Sequence, residues 1–255
     1  MKKIFDKINL PFDEEYLTPT WKELKWRLEE AFSFDGINNF LDYPLVQRIM
    51  TARNAPYIKQ EKEYLKSFLP LPEILDDTTI HHLYHIEKYK ENINIDLLYC
   101  NIIEWGGGYG DLCKTIRTLY NSSSTYILID IPIMTYLQFY FLSNKMGYKK
   151  LNIINDDNLN IKKGKINLIA LPFLDKMRLE CDLFISTWAI TESGKKSIDF
   201  VLNNNCFNAE HLLLGYETTR TDQFPYQKEL IDKLKEGSKI INIDIISPYQ
   251  FYLFR

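Results

Sequence analysis

The chain has 255 residues, 45% of them hydrophobic, and a net charge of −3 from 31 basic and 34 acidic side chains. That length suits one large domain, or one domain with a substantial extension. Near-neutral, interspersed charge excludes nucleic-acid recognition through a broad basic surface, and the hydrophobic content is that of an ordinary soluble globular chain.

Residues 1–95 read as helices. The opening stretch MKKIFDKINLPFDEE starts basic but has no apolar segment, so it is not a signal peptide and a cytoplasmic location is expected. Thr18 is placed to cap, Pro19 suits a first helical position, and Trp21, Leu24, Leu28 and Phe32 recur at helical spacing. NAPYIKQEKEYLKSFLPLPEIL reads as a second helix, stopped by Pro70 and Pro72. DDTTIHHLYHIEKYKE reads as a third, capped by Asp77 or Thr78, with Ile80, Leu83 and Tyr84 on its apolar face. Within it, His81 and His85 stand one turn apart. The stretch lacks the glutamate of HExxH and has no cysteine near enough to complete a set, so no metal is expected.

From residue 97 the texture changes to strand alternating with helix. LLYCNIIEW, TYILIDI, KINLIAL, CDLFISTWAI and HLLLGYE read as strands. DLCKTIRTLY, with Leu112, Ile116 and Leu119 on one face, reads as a helix, as do IMTYLQFYFLSNKMG, SGKKSIDFVLNNN and QKELIDKLKEG. KIINIDII and YQFYLFR close the chain as two strands with no helix between them. The pattern predicts an α/β fold whose mostly parallel sheet is covered on both faces, with the last two strands antiparallel or apart. The apolar run at 126–143 contains Asp130, Pro132 and Gln138, which divide it into strand, turn and helix rather than a membrane span. The four cysteines, Cys100, Cys113, Cys181 and Cys206, are far apart and read as buried free thiols.

Four of the chain's ten glycines fall between residues 102 and 112, in IIEWGGGYGDL, at a strand-to-helix turn. Such a turn presents free backbone N–H groups and a positive helix end at the carboxyl edge of a parallel sheet, where ligands bind. Glycine lets backbone turn tightly and lets a ligand approach it. The spacing does not match the dinucleotide fingerprint G-x-G-x-x-G/A, because Asp111 occupies the sixth position counted from Gly106. This argues against a nicotinamide-dependent oxidoreductase. What fits is E-x-G-x-G-x-G: Glu104, Gly106, Gly108 and Gly110.

This spacing resembles motif I of the class I S-adenosylmethionine-dependent methyltransferases. The resemblance implies a Rossmann-like sheet of seven strands with an antiparallel terminal strand, spanning residues 96–255, and a helical extension over 1–95 that caps the acceptor side. It implies that Gly106, Gly107, Gly108, Tyr109 and Gly110 wrap the methionine part of the cofactor while Glu104 helps hold its amino group. Asp130 would bind the ribose and Ile131 would lie against the adenine; helix capping is the other reading of Asp130. The acid usual after the third strand is not evident: INLIALPFLDK offers only Ala170, Leu171 and a late Asp175, which leaves the adenine contact to backbone. CDLFISTWAITES resembles motif IV, with Ser186 and Thr187 facing the cofactor and residues 188–192 bordering the acceptor. Together, EWGGGYGDL, LIDIP and DLFISTWAITE resemble the bacterial sugar O-methyltransferases that accompany surface-polysaccharide and capsule genes.

The acceptor side is less sharply drawn. Glu192 and His82 are candidate general bases, with helix capping an equal reading of Glu192. Trp188, Tyr109, Tyr216 and Tyr226 are candidates to line a dry aromatic site, and Arg220 to clamp an anionic acceptor. A sugar hydroxyl requires a base, whereas a phosphate or phosphoramidate oxygen does not, so a small or nucleotide-linked acceptor of either kind fits. The rival from another class is a cofactor-binding subunit that performs no chemistry.

Overall fold

The computed structural model describes residues 2–50, 57–68, 75–120 and 123–255, and only the backbone of residues 2 and 34–39. The first third of the chain is helical: α1 (Lys2–Ile8), a 3-10 turn at Glu14–Tyr16, α2 (Pro19–Phe40), α3 (Pro44–Met50), α4 (Ile58–Lys66) and α5 (Asp77–Asn92). Pro19 opens α2, where its missing N–H costs nothing. The cap of α5 is Asp76, not Asp77 or Thr78. Its backbone is extended, so its carboxylate accepts the Thr79 N–H at 2.9 Å and the Thr79 hydroxyl at 2.9 Å. Ile80, Leu83 and Tyr84 are buried on the inner face of α5. The helix stop expected at Pro70 and Pro72 lies outside the described residues.

Strand and helix then alternate: β1 (Ile102–Trp105), α6 (Asp111–Leu119), β2 (Tyr126–Asp130), α7 (Pro132–Met146), β3 (Leu151–Ile153), β4 (Ile166–Ala170), β5 (Leu183–Thr187), α8 (Lys195–Asn203), β6 (His211–Glu217), α9 (Gln227–Leu234), β7 (Lys239–Asn242) and β8 (Gln250–Phe254). The order across the sheet is β3-β4-β2-β1-β5-β6-β8-β7. The first six strands pair in parallel, and β8 runs antiparallel to both of its neighbours. Every residue of β1 and β4 is buried, as expected for a parallel sheet covered on both sides.

The sheet has one strand more than the seven expected, because the short edge strand β3 adds onto β4. β1 is shorter than LLYCNIIEW, since residues 97–99 form a turn whose Leu98 N–H is held by Asp96. Leu119 closes α6 and is exposed, while Leu112 and Ile116 are buried. The apolar run at 126–143 is β2, a turn and most of α7. Among the described residues, no helix is long and apolar enough to cross a membrane. Cys113, Cys181 and Cys206 are buried free thiols, whereas Cys100 is partly exposed.

The N-terminal helices dock on this layer through aromatic packing. Phe32 lies 4.4 Å from Phe5, 5.3 Å from Phe40 and 5.3 Å from Tyr136 of α7, ring centre to ring centre. Buried side chains of the helices and of the sheet form one continuous cluster.

Candidate active site

Six parallel strands point their carboxyl ends to one side, and two adjoining crevices open there. One, of about 250 Å³, is bordered by Trp105, Gly106, Gly108, Asp130, Ile131 and Met134, and also by Leu171, Thr187, Trp188 and Glu192. The other, of about 260 Å³, is bordered by His81, His82, His85, Glu104, Tyr109 and Asp111. Gly106, Gly108, Thr187 and Trp188 border both.

The glycines between them are there for different reasons. A Cβ on Gly106 would meet the Cβ of Ala189 at 2.1 Å, so this glycine lets two loops touch. A Cβ on Gly107 would meet the Leu128 side chain at 2.3 Å and the Glu104 carboxyl at 3.0 Å, so this one lets the turn lie on the sheet. Gly110 has φ +97° and is the N-cap of α6. At Gly108 a Cβ would meet nothing within 4 Å, and φ is +55°. Only there does the turn face open space that a ligand can fill.

Asp130 ends β2 at the edge of the first crevice. Its Oδ1 accepts the Ile131 N–H at 2.8 Å, and its Oδ2 accepts from Gln138 Nε2 at 2.9 Å. Gln138 Nε2 also donates to the Gly108 carbonyl at 3.0 Å, so one side chain fixes the acid relative to the glycine turn. Burial pushes the Asp130 carboxyl up to about 7, against the pull of its two hydrogen bonds. The N-cap of α7 is Ile131, so capping does not account for Asp130.

Glu104 is almost wholly buried beneath the turn and accepts the Tyr126 hydroxyl at 2.6 Å. Burial pushes its carboxyl up to about 8, with Asp130 and Asp111 adding to the effect and the Tyr126 hydrogen bond opposing it. Tyr109 packs edge-on against Phe141 at 4.7 Å. Ile131 and Leu171 both border the first crevice as apolar walls.

Ser186 does not face either crevice. It is fully buried; its hydroxyl donates to the Trp105 carbonyl at 2.9 Å and accepts the Ile190 N–H at 2.9 Å. It therefore stitches the end of β1 to the loop after β5, and Thr187 alone of the pair borders the crevices. Trp188 has φ +68° and lays its ring on Gly215, where a Cβ would come within 3.2 Å of the indole.

Glu192 borders the first crevice near Trp21. The N-cap of α8 is Gly194, so Glu192 caps nothing. Burial raises its carboxyl above the ordinary range, while Arg220 and a hydrogen bond from Trp21 pull it back. Arg220 is solvent-exposed, pairs with Glu217 at 3.7 Å and borders neither crevice. Tyr216 and Tyr226 are not brought to the site. Tyr216 is buried in the sheet against Phe251, 5.6 Å away, and Tyr226 is an exposed residue ahead of α9.

Each of the first two histidines is held by a carboxylate. His81 Nδ1 lies 2.7 Å from Glu61, and His82 Nδ1 lies 2.9 Å from Asp111. Asp111 also takes Lys114 and the Thr79 hydroxyl. Burial works to raise its carboxyl, but His82 and Lys114 outweigh that and hold it below the usual range. Asp111 begins α6 directly after the glycines, so this cluster ties α5 to the turn.

A strap from the N-terminus roofs the first crevice with Tyr16, Leu17 and Trp21. The Tyr16 carbonyl accepts the Gly194 N–H at 2.9 Å and the Ser197 hydroxyl at 2.7 Å, and the Thr18 hydroxyl donates to the Glu192 carbonyl at 3.0 Å. A Cβ on Gly194 would come within 2.2 Å of the Glu15 carbonyl oxygen, so glycine is what lets the strap lie so close.

No protein-family model matches the sequence, and no curated protein sequence matches it. The chain is similar to magnesium protoporphyrin IX methyltransferase from Synechocystis PCC 6803, solved with bound S-adenosylmethionine: 11% identity, 96% of this chain and 98% of that one, TM-score 0.48. It is also similar to a S-adenosylmethionine-dependent methyltransferase from Aquifex aeolicus, at 12% identity over 76% of this chain and 96% of that one, TM-score 0.47. Fibrillarin from Aeropyrum pernix, with natively bound S-adenosylmethionine, matches at 10% identity over 68% of this chain and 73% of that one, TM-score 0.44. The sheet of this chain is itself α/β and Rossmann-like, mostly parallel and closed by antiparallel terminal strands.

Proposed function

We propose that this chain is an S-adenosylmethionine-dependent O-methyltransferase acting on a saccharide precursor of a surface polymer, at a hydroxyl or at a phosphate or phosphoramidate oxygen. The observation that supports it is the open cradle at Gly108 with Asp130 fixed beside it by Gln138. A carboxylate at that strand end suits the paired hydroxyls of a ribose, and the apolar Ile131, Met134 and Leu171 suit a flat base. The saccharide acceptor rests on the sequence resemblance.

When bound, S-adenosylmethionine supplies a methyl group already activated on a sulfonium. What remains for the protein is to place an oxygen behind it and to keep water out. In this reading Tyr16, Leu17 and Trp21 do the second, and helices α1–α5 serve as the cap on the acceptor side. Glu192 is the proposed proton acceptor for a hydroxyl, because its environment raises its basicity and it borders the roofed crevice. His82 sits in the other crevice with its Nδ1 on Asp111, so we assign it to positioning the glycine turn.

Titration calorimetry with S-adenosylhomocysteine and with NAD tests the cofactor. Micromolar binding of the first, about 8 kcal/mol, is expected; tight binding of NAD instead would overturn the assignment. Turnover with a panel of nucleotide sugars and phosphorylated saccharides, read as a gain of one methyl by mass, tests the acceptor. Cofactor binding without turnover on any of them would favour a chemically silent subunit.

A further inference from the structure

The turn between β5 and α8 carries Glu192, and the strap over the first crevice is fastened to this same turn. The backbone of the turn is held from within. The Glu192 N–H reaches the Trp188 carbonyl at 3.1 Å, and the Ser193 hydroxyl donates to the Ala189 carbonyl at 2.8 Å. The side chain of Glu192 is a different case: a half-buried acid at the edge of a largely apolar crevice, on a long stem with many rotamers. The donor that reaches its carboxylate is the Trp21 indole, which has no other hydrogen-bonding capacity. Trp21 stands in the first turn of α2, just beyond Thr18, whose hydroxyl donates to the Glu192 carbonyl at 3.0 Å. Lys196 of α8 adds a further fastening, 3.2 Å from Asp13 and 4.7 Å from the centre of the Tyr16 ring. The charged groups that act on the same carboxyl are Arg220 and Glu217, which pair with each other at 3.7 Å.

We propose that the strap sets the proton acceptor: Thr18 fastens the strap to the turn that carries Glu192, and Trp21 thereby holds the Glu192 carboxylate at the first crevice. This rests on the reading of Glu192 given above. Trp21 is then a positioning residue that acts through Glu192. A lifted strap leaves the acid without its donor and without a fixed direction. Roofing the crevice and setting the acid are therefore one movement, and the acid is in place only where the roof keeps water out.

Carbon-13 spectra of protein labelled at the glutamate side-chain carboxyls test this without any acceptor. The Glu192 signal is identified by its loss in Glu192→Gln and followed as pH is raised. A donor on the carboxylate favours the ionised form, so losing it raises the midpoint of titration. Trp21→Phe keeps a ring in the roof and removes the donor; the midpoint is expected to rise by about half a pH unit or more. Thr18→Val keeps the branched shape and removes the fastening; it is expected to move the midpoint the same way, and no further. The double variant should match Trp21→Phe alone, since both act through one hydrogen bond. In nitrogen-15 spectra, one of the four indole peaks is expected to titrate together with Glu192 and to cease titrating in Glu192→Gln. This second readout does not require Trp21→Phe to fold. An unmoved midpoint in Trp21→Phe, or four indole peaks blind to the Glu192 titration, overturns the proposal. A midpoint moved by Trp21→Phe but not by Thr18→Val overturns the part given to the strap. If Glu192→Gln loses turnover while these signals stay put, the reading of Glu192 stands and this inference alone fails. If Glu192→Gln methylates a hydroxyl at the native rate, both fail.

Discussion

The two crevices on either side of Trp188 are of nearly equal size but of opposite chemistry. The first is walled by Ile131, Met134, Leu171 and Trp105 and holds two half-buried acids, Asp130 at the end of β2 and Glu192 under the strap. The second is walled by histidines, Glu104 and Asp111, with donors left unpaired. Apolar walls with a few well-placed acceptors read shape, whereas a ring of titratable groups reads charge.

The largest expected effect comes from blocking the passage the crevices share. Gly108→Val should abolish detectable S-adenosylhomocysteine binding while the protein stays folded, because its side chain would stand in open space. The strain of a β-branched residue at that φ costs about 1–3 kcal/mol. Gly107→Val, pushed into Leu128 at the sheet, should instead fail to fold. Calorimetry and circular dichroism on the pair separate the two outcomes.

Next comes the acid of the first crevice that faces the roof. If the acceptor is a hydroxyl, Glu192→Gln should lower kcat by a factor of about 10² to 10⁴ with cofactor affinity intact. His82→Asn should change kcat much less. The reverse ranking would move the acceptor into the second crevice. If the acceptor oxygen is anionic, neither variant should do this, and Arg220→Ala should raise KM instead.

A third effect is on stability. The Glu104 carboxyl is raised by burial to about 8, so between its unfolded value near 4.5 and pH 8 the unfolded chain ionises and the folded one does not. Stability is therefore lost as pH rises through that window. Glu104→Gln should remove the loss, raising the melting temperature at pH 8 by an amount worth a few kcal/mol and having little effect at pH 4. An equal shift at both pH values would mean that Glu104 is charged in the folded state.

The smallest effect concerns the first crevice alone. The Asp130 carboxyl is raised to about 7, and its ionised form is the better acceptor of hydroxyl hydrogens. S-adenosylhomocysteine affinity should rise by less than tenfold from pH 6 to pH 8, and Asp130→Ala should both abolish that slope and weaken binding by about 2 kcal/mol. A slope that survives the substitution would belong to the second crevice.

The sheet was legible because each strand is an apolar run that alternates with a helical pattern. Glu104, the glycines and Asp130 were legible as a spacing. What was not legible depends on contacts between distant positions. Gln138 is one polar residue in an apolar helix, and nothing in the sequence tells that it reaches both Asp130 and Gly108. Ser186 and Thr187 are neighbours of similar chemistry, and the pleat sends only one of them to the crevice. The strap joins Tyr16 to Ser197 across 181 positions and has no local signature. β3 is three residues long, too short to show a period.

The placement of β8 also governs the order in which the chain becomes a sheet. β8 lies between β6 and β7, which do not touch each other, and it comes after both of them in the chain. On a ribosome, β7 therefore emerges without a partner and β6 with one edge open, until residues 250–254 are delivered. Arg255 then locks the insertion: its N–H and carbonyl exchange hydrogen bonds with Leu212, and the carbonyl also takes the Tyr89 hydroxyl of α5. A nascent chain stalled a few residues short should expose two bare strand edges to chaperones and neighbouring chains.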